Sequence, residues 1–406
     1  MSAFDEALEQ PQAERADRRG IALLTVAHVA NDANQSAIPS LLPFLIGHHG
    51  LSYATAASLV LAMNLSSSIV QPLFGHLSDR RSMAWVIPTS LVLASAGAAS
   101  IGLAPNFSWM LLGALISGIG IAAFHPEGSR YSNYFAGAKR ASGMGWFTVG
   151  GYGGFALGPI LVTPLLLTFG LHGTAFLIVP GLVLAALLVR DLPRFERARE
   201  GAHARRHHIR GRDDWRGFSM LAIVVAARST VFLGAVTFLP LLAIHVLHAS
   251  KGAGEAVLAC MLVCGAVGTV AGGRLADRFG RRAIVTVSLA VASLGGAGLA
   301  TLSAFGQPLL SLAVCAGGFG AAIGLSAGVI VVLGQEYLPH RIGIASGVTL
   351  GLAVTIGGIF APIFGVIGDR YGLPTIFDWI AGFAALAFLC SFAMPNPNHG
   401  ANESTR

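Results

Sequence analysis

The sequence predicts an all-α polytopic membrane protein in which twelve transmembrane helices form two six-helix halves. Two observations lead to this fold class. Hydrophobic residues make up 54% of the 406-residue chain and charged residues only 11%, whereas about a quarter of the residues in soluble domains are charged. One short charged string also occurs twice, at 75–81 and 273–282, each time between two long apolar runs. A string repeated in this way indicates that a helical membrane bundle was duplicated.

Apolar runs of membrane length define the predicted elements, since a helix needs about 20 apolar residues to cross the hydrocarbon core. Twelve runs qualify, at 20–46, 53–75, 83–103, 107–125, 141–168, 173–189, 217–246, 254–274, 283–303, 308–333, 343–367 and 375–394. The predicted domains are a tail at 1–19, an N-terminal half at 20–190, a linker at 191–216, a C-terminal half at 217–394 and a tail at 395–406.

The basic residues predict how these helices are oriented. Of the 26 lysines and arginines, 23 fall in the tails, the linker or the loops at one end of the predicted bundle. Only Lys251 and Arg370 belong to the loops at the other end. Because cytoplasmic loops carry an excess of basic residues, we expect both termini and the linker in the cytoplasm. The net charge of +7 is thus a topology signal, and no nucleic-acid partner is expected.

The duplication extends beyond the charged string. Residues 42–45 (Leu-Pro-Phe-Leu) match residues 239–242 (Leu-Pro-Leu-Leu), and Ala-Ser-Gly occurs at both 141–143 and 345–347. The two halves are therefore expected to be parallel repeats, with the substrate route between them near the bilayer midplane.

Several strings carry a family resemblance. The charged string at 75–81 and 273–282 resembles the signature loop of the major facilitator superfamily, and Gly154-x-x-x-Gly158-Pro159 resembles the core of its antiporter motif. Residues 28–36, 124–130 and 335–343 together resemble the fosmidomycin resistance branch of that superfamily. The resemblance implies a major facilitator fold in the bacterial inner (plasma) membrane and proton-driven efflux of a phosphonate. It also implies a functional monomer without a cofactor.

Two charged side chains fall near the middle of a span, Asp32 in the first and Arg228 in the seventh. Each costs about 2.5–3.5 kcal/mol at the centre of a helix, so such groups usually face a cavity and act there. A carboxylate in a partly dry cavity can alternate between protonated and ionised forms, and an arginine fork suits a phosphonate or carboxylate. We therefore assign proton coupling to Asp32 and substrate binding to Arg228. The alternative is a buried ion pair that only joins the halves.

Polar neighbours extend this candidate site. His28 lies one turn before Asp32 on the same helix face and is expected to relay the proton or orient the carboxylate. The alternative for His28 is a satisfied core histidine. Four further side chains are candidates for binding substrate, although ordinary helix–helix hydrogen bonding explains them equally well: Asn31, Gln35, Asn64 and Gln71.

Charged residues at the predicted cytoplasmic ends are candidates for a gate that exchanges ion pairs as access switches. The alternative is a set of surface ion pairs worth about 0–1 kcal/mol each. The candidates are Asp79, Arg80, Asp277, Arg278, His125, Glu127, Arg130, Glu336 and Arg341. His125 and Glu127 lack further ligands at fixed spacing, so no metal site is expected.

These features predict a secondary active transporter, a proton-coupled efflux antiporter for a small anionic compound that works by alternating access. The alternative within this class is a proton-symport importer of a small organic anion. The chain contains no G-x-x-x-x-G-K-[ST] string, so it does not drive transport with ATP by itself. A second class, an intramembrane enzyme or a receptor, lacks a nucleophile–base pair at membrane depth or an appended signalling domain.

Overall fold

A computed structural model of the chain describes residues 16–80, 83–136, 140–203, 212–341, 344–345, 348–349 and 353–396. Within these ranges there are twelve α-helices of 16 residues or more and no strand. The helices are α1 (Arg18–His49), α2 (Tyr53–Arg80), α3 (Val86–Ile101), α4 (Phe107–Ala136), α5 (Arg140–Phe169), α6 (Ile178–His203), α7 (Trp215–His245), α8 (Lys251–Phe279), α9 (Arg281–Ala304), α10 (Leu309–Tyr337), α11 (Ala353–Tyr371) and α12 (Leu373–Ser391). Short 3-10 segments occupy Gly170–Leu177 and Pro339–Arg341.

Eight stretches of the described chain are long and apolar enough to cross a membrane by length and composition, and one of them, Gly145–Glu200, covers most of both α5 and α6. The predicted all-α membrane fold is thereby confirmed. Each of the twelve predicted apolar runs overlaps one of the twelve helices.

The duplication is visible in how the halves begin. The Asp17 carboxylate caps α1 by accepting from Gly20 N at 3.0 Å, and the Asp214 carboxylate caps α7 by accepting from Gly217 N at 2.9 Å. Both caps satisfy backbone groups that a helix leaves free at its N-terminus. Each cap residue also donates its own backbone N–H across the half, Asp17 to Phe135 O of α4 at 2.8 Å and Asp214 to Tyr337 O of α10 at 2.6 Å. Equivalent positions thus make equivalent contacts.

The segment predicted as a linker is partly helical. α6 continues to His203, and α7 begins at Trp215. Residues 191–203 contain many arginines and glutamates, which favour helix, and two ion pairs fasten this extension to the start of α1. Arg19 lies 3.0 Å from Asp191, and Arg194 lies 3.0 Å from Asp17.

The two halves meet where α2 packs on α11, where α5 packs on α8, and where α1 touches both α7 and α8. Their contacts include the end of the bundle opposite the Asp17 and Asp214 caps, which is the predicted periplasmic end. There the Asp369 carboxylate at the end of α11 accepts from the backbone N–H groups of Tyr53 and Ala54, at 2.9 and 3.1 Å. Lys251 Nζ of α8 lies 4.8 Å from the ring centroid of Phe44 of α1. The halves are therefore in contact at this end.

Candidate functional site

An acidic centre is buried on α1. Asp32 is only 5% exposed, and two imidazoles contact its carboxylate. His28 Nε2 lies 3.2 Å from Oδ2, and His125 Nε2 of α4 lies 3.4 Å from Oδ1. The two Nε2 atoms are 3.3 Å apart. We name His28, Asp32 and His125 the His–Asp–His cluster.

The Nδ1 atom of each histidine determines which tautomer the ring adopts in this cluster. His28 Nδ1 lies 2.7 Å from the carbonyl oxygen of Phe147, and His125 Nδ1 lies 2.7 Å from that of Ile121. A carbonyl only accepts, so each Nδ1 carries a proton and each neutral ring turns the lone pair of its Nε2 inward. Two lone pairs and a carboxylate would then face one another. At least one additional proton or another cation is needed to make this arrangement favourable.

A divalent cation could use the same donors, because the ligand atoms of His28, Asp32 and His125 lie within 4.8 Å of one another. The sequence expectation of no metal site considered His125 together with Glu127. The fold instead gives His125 two other partners, and both come from α1. Spacing along α4 could not reveal this grouping, since it depends on how α1 and α4 pack.

His125 therefore does not lie where it was expected. It was assigned to a cytoplasmic gate, but it contacts the buried carboxylate of Asp32. The neighbouring Glu127, only 1% exposed, remains with Arg130, whose Nη1 lies 3.7 Å from Glu127 Oε1. Successive side chains on a helix point about 100° apart, so the side chains of two residues that are close in sequence face different neighbours.

Glycines of α5 allow this helix to pack directly on the part of α1 that carries the cluster. A Cβ at Gly154 would lie 2.5 Å from Val29 O and 2.8 Å from Asp32 Cβ. At Gly158 it would lie 2.7 Å from Ala33 O. Only glycine permits so close a backbone approach. The antiporter-like string at Gly154, Gly158 and Pro159 thus occupies the surface of α5 behind Asp32.

Arg228 of α7 is buried in the other half and is 8% exposed. Its Nε donates to Ser326 Oγ at 2.9 Å, and its Nη2 donates to Ile323 O at 2.7 Å, both on α10. Among the described residues it makes no ion pair with a carboxylate. Of its five N–H groups, three remain for another partner.

The alternative of an Asp32–Arg228 ion pair is wrong for this structure. Asp32 is compensated within the first half by imidazoles, and Arg228 is held within the second half by neutral acceptors. The sequence pattern placed both charges at similar depth, but it could not show which neighbours their side chains reach.

Three of the four predicted polar substrate residues make two separate hydrogen bonds, one of them to Asp32. Asn31 Nδ2 donates to Asp32 Oδ1 at 3.1 Å, and Gln35 Nε2 donates to Asn64 Oδ1 at 3.3 Å. This leaves Asn31 Oδ1 and Asn64 Nδ2 buried without a hydrogen-bond partner among the described residues. Gln71, farther along α2, is partly buried. One free acceptor and one free donor are thus available next to the cluster.

A narrow apolar cleft, with a volume of only about 10 Å³, lies where the halves meet. Phe155 of α5 and Phe232 of α7 line it, with ring centroids 5.5 Å apart. Its wall includes Ile323, whose carbonyl holds Arg228. The cleft therefore places apolar surface close to the buried guanidinium.

The remaining gate candidates are found in other pairings or lie outside the described residues. Glu336 pairs with Arg281 of α9 at 2.5 Å, and Arg341 pairs with Asp213 at 3.5 Å. Asp277 is exposed without an ion pair to a described residue, and Arg278 lies over the ring of Phe279 at 5.2 Å. The side chains of Asp79 and Arg80 lie outside the described residues.

Two carboxylates that the sequence did not single out are prominent in the structure. Asp369 caps α2 of the other half, and Glu255 of α8 is 1% exposed with both carboxyl oxygens unpaired among the described residues. Glu255 stands at the start of a predicted span. A search restricted to charges near the middle of a span passes over it.

Comparisons with known proteins agree with this fold. The family model described as Major Facilitator Superfamily matches residues 24–362. The chain is 29% identical over 387 residues to the uncharacterized MFS-type transporter YfnC of Bacillus subtilis (strain 168), covering 92% of each protein. It is 26% identical over 392 residues to the fosmidomycin resistance protein of Escherichia coli (strain K12), covering 93% of this chain and 92% of that protein.

Solved structures show the same fold at low identity. A bacterial homolog of the human lysosomal transporter Spinster, in an inward-facing and occupied conformation, aligns with a TM-score of 0.73 at 17% identity, covering 92% of this chain and 95% of that chain. The xylose transporter XylE from E. coli, in a partially occluded inward open conformation, aligns with a TM-score of 0.69 at 15% identity, covering 92% of this chain and 97% of that chain.

Proposed function

Because the chain belongs to the major facilitator superfamily, we propose that this multi-pass membrane protein is a proton-coupled efflux antiporter of the bacterial inner membrane. Its cargo is a small anionic compound, for which a fosmidomycin-like phosphonate is the model. The observation that carries the proposal is the buried cluster of His28, Asp32 and His125, in which three basic atoms converge with room for a shared proton.

The proton is the occupant that suits a transporter. Without an added proton, the carboxylate of the His–Asp–His cluster faces the lone pairs of two Nε2 atoms and repels them. An added proton joins these groups through hydrogen bonds, and its loss restores the repulsion. The affinity of such a unit for protons changes when water or a second charge enters. Alternating access provides that change, since it exposes the same group first to one side of the membrane and then to the other.

The anion is bound in the other half. Leaving a buried guanidinium without a carboxylate is costly, and an anionic ligand would remove this cost. The three free N–H groups of Arg228 can grip two oxygens of a phosphonate or carboxylate. The adjacent cleft lined by Phe155 and Phe232 offers apolar surface to a short segment attached to the anionic group, and it must widen to admit that segment.

Contact between the halves at the predicted periplasmic end supports an inward-facing conformation for this structure. The Asp369 cap on α2 and the Lys251–Phe44 contact would have to break before the site could open toward the periplasm. The cycle then consists of proton uptake from outside, closure as seen here, and exchange for the anion inside.

The test uses everted membrane vesicles with an imposed proton gradient and fosmidomycin as the probe. We expect wild type to dissipate the gradient when fosmidomycin is added, and Asp32→Asn to abolish the effect because the amide cannot exchange the proton. The matched control is Asp191→Asn, which removes a carboxylate from a surface ion pair outside the cavity. Buffers contain a chelator so that a divalent metal ion does not occupy the cluster.

Full coupled activity in Asp32→Asn would contradict the proton role. Fosmidomycin that accumulates together with protons would instead support the symporter.

A further inference from the structure

Glu255 lies in the first turns of α8, where the second half touches the first. One turn before it, Lys251 lies against Phe44 of α1, and a Cβ at the neighbouring Gly252 would lie 3.2 Å from Leu167 of α5. The side chain of Ser40, one turn before Phe44 on α1, lies close enough to the carboxyl group of Glu255 to interact with it. Glu255 therefore belongs to the seal between the halves at the predicted periplasmic end.

Its carboxyl group is buried without an ionic partner among the described residues. Glu255 is 1% exposed, and neither carboxyl oxygen has a hydrogen-bond partner among the described residues. The hydroxyl of Ser40 donates instead to Ser36 O at 3.3 Å. An ionised carboxylate in such surroundings costs several kcal/mol, whereas a neutral carboxylic acid costs much less. The packing seen here thus accommodates the protonated form.

No neighbouring charge changes this conclusion. No residue that the structure describes forms an ion pair with Glu255 within 4 Å. At this end of the bundle the titratable groups on the neighbouring helices and loops include Lys251 on α8 itself, His245 and His248 at and after the end of α7, His48 and His49 at the end of α1, Tyr53 at the start of α2 and Asp369 at the end of α11, with the thiol of Cys260 farther along α8. Lys251, the nearest along the chain, is directed at the ring of Phe44.

We propose that Glu255 is a second proton-binding site of this transporter, which is loaded from the periplasm and holds the periplasmic seal closed while it is protonated. Opening the seal hydrates the carboxyl group and allows it to ionise. The ionised form cannot return to the dry interface, so the halves close again only after Glu255 has taken up a proton. This proposal rests on alternating access in the proposed function, but not on its cargo or on Asp32.

The sign of the effect follows from which form each state accommodates. The closed seal holds protonated Glu255, and the open seal tolerates the carboxylate. Raising the pH therefore favours opening. The open-to-closed ratio rises by up to about tenfold for each pH unit between the pH at which Glu255 ionises in the open state and the pH at which it ionises in the closed state. A glutamine mimics the protonated form, so Glu255→Gln should remain closed at any pH.

The distance between the halves measures this equilibrium. Spin labels at Ser108 of the first half and Gln307 of the second, both exposed, report on it after the native cysteines are replaced by alanine. In wild type, we expect the short-distance population to dominate at about pH 5 and a longer-distance population to gain about tenfold at about pH 9. In Glu255→Gln the shift should be lost. The matched control Asp378→Asn, which removes an exposed acid at the same end, should keep it.

The proposal would be overturned if Glu255→Gln showed a pH-dependent distance shift as large as that of wild type. It would also be overturned if wild type showed no such shift. Neither result depends on proton–phosphonate exchange, so the proposed function can fail while this proposal stands. If the glutamine variant does not fold, dicyclohexylcarbodiimide tests the wild-type protein, because it reacts with protonated carboxyl groups in apolar surroundings. Labelling of Glu255, read by mass spectrometry, should fall as the pH rises. Labelling that does not change with pH would overturn the proposal.

Discussion

At the residue scale, the two buried charges of the site are compensated in different ways. Asp32 lies between two imidazoles that can carry protons. Arg228 is held by a hydroxyl and a carbonyl, neither of which carries charge. A proton can therefore balance the first charge within its own half, whereas the second charge is balanced only when an anion arrives. In the proposed function, this division assigns the proton to one half and the cargo to the other.

Replacing Arg228 with lysine tests the anion site. Lys keeps the charge but cannot hold Ser326 and Ile323 O while presenting a planar fork to a ligand. Because hydrogen bonds to charged groups contribute about 1.5–3 kcal/mol, we expect fosmidomycin binding to weaken about 10–100-fold, as measured by isothermal titration calorimetry. Arg216→Lys at the start of α7 is the control and should bind as wild type does. An equal loss for a neutral ligand would show that Arg228 is only structural.

What the sequence could predict at this scale depends on distance along the chain. His28 and Asp32 are four positions apart on one helix, so their contact follows from helix geometry alone. His125 reaches the same carboxylate through the packing of α4 on α1, and no spacing in the sequence encodes that contact. The unpaired state of Glu255 is equally tertiary, because it depends on which side chains of α1 face α8.

At the element scale, the glycines of α5 determine how closely this helix approaches α1. The equivalent contact in the second half is made by Gly357 of α11, where a Cβ would lie 2.6 Å from Ser229 O, next to Arg228 on α7. Each half thus uses a glycine to pack one helix directly behind its buried charged residue. Gly154 and Gly158 are visible in the sequence as part of the antiporter-like string, but only the structure shows that they pack α5 against the candidate site.

Gly154→Ala tests this contact. The added methyl group would overlap Val29 O and Asp32 Cβ, so α5 must move away from α1. Overpacking of this kind costs about 1–3 kcal/mol, and we expect a lower melting temperature in detergent together with a loss of proton coupling. The matched control is Gly153→Ala, where the nearest atom, Val29 Cγ2, is 3.7 Å away. That variant should match wild type. Equal damage from both changes would argue against a specific role for the close approach.

Composition predicted the apolar parts of the helices but not where the polar end of α6 lies. The apolar runs located all twelve long helices of the described residues, since a segment must be apolar and helical to cross the lipid. The polar extension of α6 to His203 was predicted as linker because it is charged. It is helical because its residues favour helix and because Asp17 and Asp191 pair with Arg194 and Arg19.

At the scale of the whole molecule, the halves are joined at the predicted periplasmic end by a helix cap that crosses between them. The Asp369 carboxylate of the second half accepts two backbone N–H groups at the start of α2 in the first half. A helix cap usually stabilises by about 0.5–2 kcal/mol. In the proposed alternating-access cycle the cap forms only while this end is closed, and it then contributes directly to the balance between the two access states.

Asp369→Ala should therefore shift this balance toward the outward-open state. Loss of about 1 kcal/mol corresponds to an increase of about fivefold in the open-to-closed ratio. The same spin-label pair at Ser108 and Gln307 measures it at constant pH. Asp378→Asn again serves as the control and should leave the ratio unchanged. A ratio equal to that of wild type in Asp369→Ala would mean that the cap contributes nothing to closure.

The exchange of a proton for an anion within one molecule is the central claim, and proton release on ligand binding tests it most directly. Fosmidomycin is added to purified protein in a weakly buffered solution that contains a chelator, and a pH indicator records the protons released. We predict about one proton released for each fosmidomycin bound by wild type. Asp32→Asn should release none, although it still binds through Arg228. The same release from Asp32→Asn as from wild type would contradict the account.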